Sequence, residues 1–465
     1  MKKFLLWVSL LVPILVLAAI ALRRIGNPFR STIRPEMEVA LVESGTDETP
    51  NKFAVGELGW NRFRGANGTG LVDDPSIPNV WNTEENLQWS TKLTGTGSSS
   101  PVIAGGRVFL TSCTYTRESN AEISELTRYV SAFDLETGDP LWEKTIEGFL
   151  PEDPYIGNGL PEHGYATNSP VTDGQRLYVF LGKSGVHCFN LDGEPLWNRT
   201  VGTGSNPKGW GSCASLILFD DLVIVNAAEE SNAIIALDGE SGEEVWRADS
   251  PDLNFAFSTP ALAKSDGGEL ELVVALVGEV WGMNPRTGKL LWYAEVPISG
   301  NISPCVIVSN ELVYIYGGFR QVGSACIEVG GRGDVTSSHV KWTSKMTSYI
   351  STPVLIGDQL FWADDRARCY CQDAKTGEQV ARARMPGGLG GRPIYASMIN
   401  LNGNLLLQSR YDGTFIMEGN ESFALVSHNK LGDKSMSNAT PAAAGGRLFL
   451  RSDEYLHCVA GEPSK

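Results

Sequence analysis

Histidine is scarce in this 465-residue chain, and His163, His187, His339, His428 and His457 are too scattered to share a zinc ion by any familiar spacing. No Gly-x-Ser-x-Gly occurs, which removes the nucleophile turn of the α/β-hydrolases. The Gly-Lys-Ser of "LGKSG" (181–185) lacks the earlier glycine of a phosphate loop, since Leu177 stands there, and it reads as a turn. Positive charge is also short. With 38 Lys and Arg against 54 Asp and Glu the formal charge is −16, and a phosphate-backbone partner needs clustered cations, so nucleic acid is set aside.

Cysteine is thinly spread. Cys113, Cys188, Cys213, Cys305, Cys326, Cys369, Cys371 and Cys458 lie mostly in apolar runs and read as small buried hydrophobes. Cys369 and Cys371 have the wrong spacing for a Cys-x-x-Cys pair; as alternate residues of one strand they put both thiols on the same face. Long helical periodicity is missing after residue 25.

What is abundant is glycine (51), proline (24) and tryptophan (12), a profile of short strands and turns. The exception is the N-terminus, "MKKFLLWVSLLVPILVLAAIALRR", in which residues 4–22 carry no charge and are long enough as a helix to span a bilayer core of ~30 Å. Residues 1–24 are therefore expected to be a membrane anchor or a signal sequence. The anchor would make a single-pass membrane protein with an exported, periplasmic or extracytoplasmic body; cleavage near Ala21 would make a secreted one. Basic residues flank both ends of the run, so orientation is not readable from them.

Eight stretches recur, among them "SSPVIAGGRVFL" (99–110), "NSPVTDGQRLYVF" (168–180), "STPVLIGDQLFWA" (351–363) and "ATPAAAGGRLFL" (439–450). With Pro101, Pro170, Ser215, Pro260, Pro304, Pro353, Ser397 and Pro441 taken as equivalent, the intervals are 69, 45, 45, 44, 49, 44 and 44. Within the units, Asp134 and Trp142, Asp238 and Trp246, Asn284 and Trp292, and Asp373 and Ala381 all lie eight residues apart. Asp or Asn opens a hairpin turn with its side chain, glycine supplies the positive φ, and the tryptophan lands at a fixed register on the fourth strand, where it can pack between neighbouring units.

Four strands repeated eight times predict an all-β protein, an eight-bladed β-propeller. The last unit stops one strand short, and "NLQWSTKL" (86–93) has a fourth-strand pattern with no unit of its own, so a strand from the N-terminal side is expected to close the ring. Residues 25–59 would be a linker, 60–86 a lead-in that packs on the propeller, and 87–461 the propeller itself. Within the lead-in, "WNRFRGANGTG" (60–70) would set Trp60 and Phe63 on the propeller's flank. An anion site at Arg62 or Arg64 is the alternative.

The Asp-x-x-Thr-Gly-x-x-x-Trp tail, the Ser-Pro-Val inner strand, the eight units and the lead-in resemble the PQQ-like (quinoprotein-type) β-propeller repeat proteins of bacteria. The resemblance covers residues 60–460. It implies one of two functional classes. Quinoprotein dehydrogenases hold pyrroloquinoline quinone (PQQ) and calcium; others, including the lipoprotein of the outer-membrane β-barrel assembly machinery, bind proteins without a cofactor. This chain has no adjacent cysteines, no Cys-x-x-Cys-His and no recognisable calcium ligands, and it also lacks the lipoprotein's acylated cysteine.

The expectation is thus a monomeric, membrane-anchored scaffold for an envelope protein partner, with no cofactor and no catalytic or metal-binding residue. PQQ with calcium in an oxidoreductase, or carbohydrate or polymer binding, are the alternatives. The surplus of the first unit falls in two loops, 113–129 and 147–167, both on the face where blades connect. The residues preceding the inner strands would ring the channel mouth on that face: His163, Tyr165, Asn168, Trp210, Phe257, Asn301, Tyr349, Arg392, Tyr395 and Asn438.

Overall fold

A hairpin turn that presents a glycine, followed four residues later by a tryptophan, builds the same joint again and again in this molecule. The computed structural model describes residues 59–461 apart from 120–121, 155–163, 319–320 and 388. They form eight antiparallel sheets of at least four strands each, arranged as the blades of a propeller. Blade 1 runs Val102–Ala104, Arg107–Arg117, Ile123–Asp134 and Pro140–Glu147 from channel to rim. Blades 2 to 7 follow in chain order. Blade 8 takes three strands from the C-terminal end, Ala442–Ala444, Arg447–Arg451 and Tyr455–Ala460, and its outer strand from Leu87–Lys92, with Trp89 opposite Cys458.

In every blade the pairing of third and outer strands slips by one residue just before the tryptophan position, as between Ala132/Trp142 and Phe133/Pro140. Such a bulge increases local twist and re-aims the next side chain. Here it swings the indole onto the next blade. Trp89, Trp142, Trp197, Trp246 and Trp342 donate their indole N–H to Leu135, Leu191, Gly239, Pro285 and Ala374 carbonyls in the following blade's turn, at 2.9–3.3 Å. The turn glycines beneath the rings (Gly138, Gly193, Gly242, Gly288, Gly377) have φ of 70–86°, and a Cβ there would lie 2.4–2.7 Å from the ring. Glycine is thus required both for the turn and for the contact.

Three interfaces depart from this joint, each with a substitute. Trp292 of blade 4 is fully buried and bonds Glu271 of its own blade, and the loop that enters blade 5's outer strand folds over it. Blade 6 has Ala381 at this position, and Phe423 from the turn of blade 7 reaches back to Phe361 instead. Blade 7 has Ser427, which bonds the Asn79 carbonyl of the lead-in, bringing buried Trp81 into the gap. Cys369 and Cys371 both face the apolar layer between blades 6 and 7, where burial raises each thiol to about 12.

The innermost strands carry a second series of bonds, a ring that among the described residues has one gap, between blades 4 and 5, where only the Val306 amide reaches the Thr259 carbonyl, at 3.5 Å. The amide of Ser100 donates to the hydroxyl of Ser169, Ser169 to Ser215, Ser215 to Thr259, Cys305 to Thr352, Thr352 to Ser397, Ser397 to Thr440, and Thr440 back to Ser100, all at 2.8–3.0 Å. The repeat equivalence therefore shifts by one residue from that expected. Ser215 and Ser397 match the residue before the recurrent proline, and in blade 5 Cys305, after Pro304, takes that place. The small polar residues each close an inner-edge amide that the sheet leaves open.

Residues 60–70 are not on the flank. Trp60 and Asn61 bond the inner strands of blades 1 and 2, the turn Ala66–Gly68 lies against Ala261–Lys264 of blade 4, and Leu71–Val72 pairs in parallel with blade 7. The segment crosses the end of the channel. Arg64 is 1% exposed and uses all five of its N–H donors on carbonyls: Gly68, Thr69, Thr352, Pro353 and Met398. No donor is left for an anion. Gly65 allows this, since a Cβ there would come within 2.6 Å of the Trp60 ring.

The expectation of a single-pass membrane protein needs correction. Among the described residues no helix is long and apolar enough to cross a membrane, and residues 4–22 lie outside them.

Two outcomes follow for stability. Arg64→Met strands five carbonyls in the interior and should destabilise the fold by roughly 3 kcal/mol or more, since each orphaned buried polar group costs about 1–3 kcal/mol; Arg64→Lys, with three donors, should recover part of this in a denaturant melt. Trp89→Ala should cost as much as Trp142→Ala, about 3–5 kcal/mol. A markedly smaller loss for Trp89 would mean that the strand from the N-terminal side does not hold the ring.

Candidate functional site

The connections from outer strand to next inner strand, and from second strand to third, share one face, around the mouth of the channel. Within blade 1 the expected loop 113–129 is mostly strand. The hairpin extends through Arg117 and resumes at Ile123, because Cys113, Ile123 and Leu126 keep burying side chains against Tyr165 and Ala166. Extended pairing satisfies the backbone while that apolar patch is covered.

The expected residues fall into two sets. Tyr165, Asn168, Phe257 and Asn301 are each at least nine-tenths buried. The Tyr165 hydroxyl donates to the Asp153 carbonyl and accepts from Arg117, its ring meets Tyr115 edge-on at 5.0 Å, and burial pushes its phenol up. Asn168 donates to the Ala214 carbonyl at 2.6 Å, Phe257 binds the Ile302 carbonyl through its amide, and Asn301 donates to Ser303. Asn168 and Phe257 tie neighbouring blades together, Tyr165 ties the connection between blades 1 and 2 to blade 1, and Asn301 braces its own segment.

Trp210, Tyr349, Tyr395 and Asn438 are half-buried and Arg392 is exposed. Trp210 packs on Phe257 at 6.0 Å with Lys208 over its other side; Tyr395 carries the Arg410 guanidinium at 4.5 Å; Arg392 pairs with Asp365 at 3.4 Å; Asn438 reaches Ser98. His163 lies outside the described residues.

Beneath this rim sits a cluster of charges that the sequence reading missed. Arg128 pairs with Glu152 at 2.7 Å, and Lys183 reaches Asp153 at 3.2 Å and Glu152 at 3.7 Å, all four buried. Lys183 is the lysine of "LGKSG", which does form a turn, and its ammonium points inward. On the short helix Ala228–Ser231 of blade 3, Glu229 and Glu230 are also buried; among the described residues both oxygens of Glu229 and Oε2 of Glu230 have no hydrogen-bond partner. Burial first, then Glu230 and Asp153, raise Glu229 to about 9; burial above all raises Glu230 to about 8. The only sequence hint was an acidic pair, "AAEESN", directly after an apolar strand.

The cluster encloses a cavity of about 10 Å³ lined by Arg128, Glu152, Asp153, Lys183, Ser212 and Glu230, room for one water. A tricyclic quinone with its metal does not fit there. Among the described residues no group of three or more His, Cys, Asp or Glu is placed to hold a metal ion. Cys369 and Cys371 face an apolar interface, away from the channel. PQQ and calcium therefore have no matching residue set here, and no chemistry is derived through them.

A family model described as "Outer membrane protein assembly factor BamB", built on the PQQ-type repeat, matches residues 126–382, and the chain belongs to this family. Among solved structures it is similar to BamB from Moraxella catarrhalis, with a TM-score of 0.58, 14% identity, and coverage of 82% of this chain and 98% of that one. The computationally designed Ika8 protein aligns with a TM-score of 0.52 and 11% identity over 81% of this chain and 99% of its own. Quinohemoprotein alcohol dehydrogenase from Comamonas testosteroni aligns with a TM-score of 0.40 and 12% identity over 87% and 81%. No curated protein matches by sequence.

The two glutamates give the protein a pH-dependent stability of known sign. Their folded-state values lie above the unfolded ones, so the folded state keeps protons that the unfolded chain releases. Stability from this source is full below about pH 4.5 and is lost as pH rises toward 8–9. Glu230→Gln should therefore stabilise the protein progressively more at about pH 8 than at about pH 5, measured as the difference in urea midpoint between variant and parent. A difference that does not change with pH would show that Glu230 is ionised in the fold.

Proposed function

We propose that this chain is a protein-binding scaffold in outer-membrane assembly, the role in its family's description, and that it binds its partner with the channel-mouth face where the blades connect. The supporting observation is the division of labour on that face. Tyr165, Asn168, Phe257 and Asn301 are buried and hydrogen-bonded, while Trp210, Tyr349 and Tyr395 are only half-buried and Arg392 is exposed. Tyrosine, tryptophan and arginine dominate the energetics of protein interfaces, and they do so best when held by a rigid support. Trp210 has that support from Phe257, and Tyr395 from Arg410.

The test is capture from detergent-solubilised envelopes with the purified propeller as bait and quantitative mass spectrometry as readout. Trp210→Ala and Tyr395→Ala should each lower recovery of an outer-membrane assembly protein by roughly tenfold or more, the loss expected from an interface anchor. Their melting temperatures should stay near that of the parent. Lys375→Ala, in an exposed turn on the opposite face, should leave capture unchanged. Loss of the partner by the Lys375 variant with retention by the other two would place the interface on the wrong face.

A further inference from the structure

A second depression lies away from the channel. A groove of about 740 Å³ runs between blades 5 and 6, walled by Thr343, Lys345, Met346 and Thr347 on one side and by Tyr370, Glu378 and Gln379 on the other. Tyr370 is held flat: it stacks on Trp362 at 5.2 Å, its hydroxyl donates to Asp364, and Arg382 lies over its ring at 5.5 Å.

The charge of this flank is opposite to that of the protein. Between residues 340 and 384 there are seven Lys and Arg against five Asp and Glu, in a chain of net charge −16. Of the eight outer strands, only Gln379–Arg384 carries two arginines and no carboxylate. Strand register sets Arg382 opposite Tyr370, and Arg384, two residues on, shares that face toward blade 5. Lys345, Arg382 and Arg384 are all exposed, and none forms an ion pair among the described residues. By contrast the neighbouring cations Lys341, Arg368, Lys375 and Arg392 are paired with Glu328, Asp364, Asp358 and Asp365.

The flank one blade earlier shows what such a surface can hold. There the chain's own Gly333–Asp334, part of an Arg-Gly-Asp sequence, pairs in parallel with Trp292 and Tyr293 on the rim of blade 4, while Arg332 reaches Glu269 and buried Glu271. An extended segment is thus seated by backbone pairing and charge.

We infer that the groove between blades 5 and 6 binds an extended, acidic segment of a partner protein, whose carboxylates meet Lys345, Arg382 and Arg384. A recess between two blades admits a single extended chain and is closed to a flat lipid surface, and the mixed lining of hydroxyls, an amide, Met346, Lys345 and a single carboxylate, Glu378, suits a polypeptide whose acidic side chains reach past Glu378 to the three unpaired cations. This does not depend on the channel-mouth reading, since the groove lies on the flank and its residues are different ones.

The test uses the full chain and a fluorescein-labelled peptide alternating Glu and Thr, followed by fluorescence anisotropy at low salt, with a Gln–Thr peptide as control. The acidic peptide should bind and the control should not. The double variant Arg382→Glu/Arg384→Glu should weaken binding by about tenfold or more, Arg382→Lys/Arg384→Lys should retain most of it, and Arg247→Glu on the rim of blade 3 should leave it unchanged. Lys345→Glu provides an independent weakening variant should the double one fold poorly. Absence of binding, or equal weakening by Arg247→Glu, would overturn the inference. So would loss, in the double variant, of binding to phosphatidylglycerol vesicles or of self-association by sedimentation, with the peptide unaffected; those results would assign the arginines to a lipid surface or a second copy of this chain.

Discussion

A propeller blade leaves one strand edge facing the channel, and the amides on that edge have no sheet partner. In this protein the next blade supplies one at seven of the eight junctions, a serine or threonine hydroxyl, and the chain of amide-to-hydroxyl bonds passes around the axis with one gap among the described residues, between blades 4 and 5. Everything else is positioned by that ring. It sets the spacing of the inner strands, and so the width of the channel and the places where the connecting loops emerge. The gap lies at Cys305, which donates its own amide to Thr352 but brings a thiol to the position that elsewhere holds the accepting hydroxyl. At the channel's other end, Arg64 meets the same need on the acceptor side, by binding inner-strand carbonyls of blades 6 and 7.

The rim is held by a different contact, an indole laid on a turn glycine with its N–H bonded to the turn carbonyl. The contact is local in each blade yet joins two blades, so the repeat can vary wherever another group fills the same space. Phe423, Trp81 and the segment after Val329 do this at three interfaces. Those are the places where the chain departs from its own repeat.

On the connecting face, rigidity and exposure come from different residues. Buried polar side chains and the Arg128, Lys183, Glu152 and Asp153 network lock the loops, and the accessible aromatics rest on them. Glu229 and Glu230 add a strain of charge: with no partner for three of their oxygens they are more stable protonated, so this part of the face grows weaker as pH rises.

The sequence by itself determined the architecture, because its cues are short-range. An Asp or Asn that caps a turn, a glycine at positive φ and a tryptophan eight residues on all act within one hairpin, and their period counts the blades. Cys369 and Cys371 were legible for the same reason, since alternation along one strand fixes a common face. What only the tertiary structure decided depends on residues far apart in the chain. Arg64 looked like a flank residue or an anion ligand until its carbonyl partners, some 300 positions away, were in place. Tyr165 and Trp210 carried the same signal, an aromatic ahead of an inner strand, yet one is buried by the long hairpin of blade 1 and the other is not. The turn around Lys183 and the acidic pair Glu229-Glu230 were visible, but not their burial, because burial of a charge is set by which loops meet over it, and loops from different blades meet only once the propeller has closed.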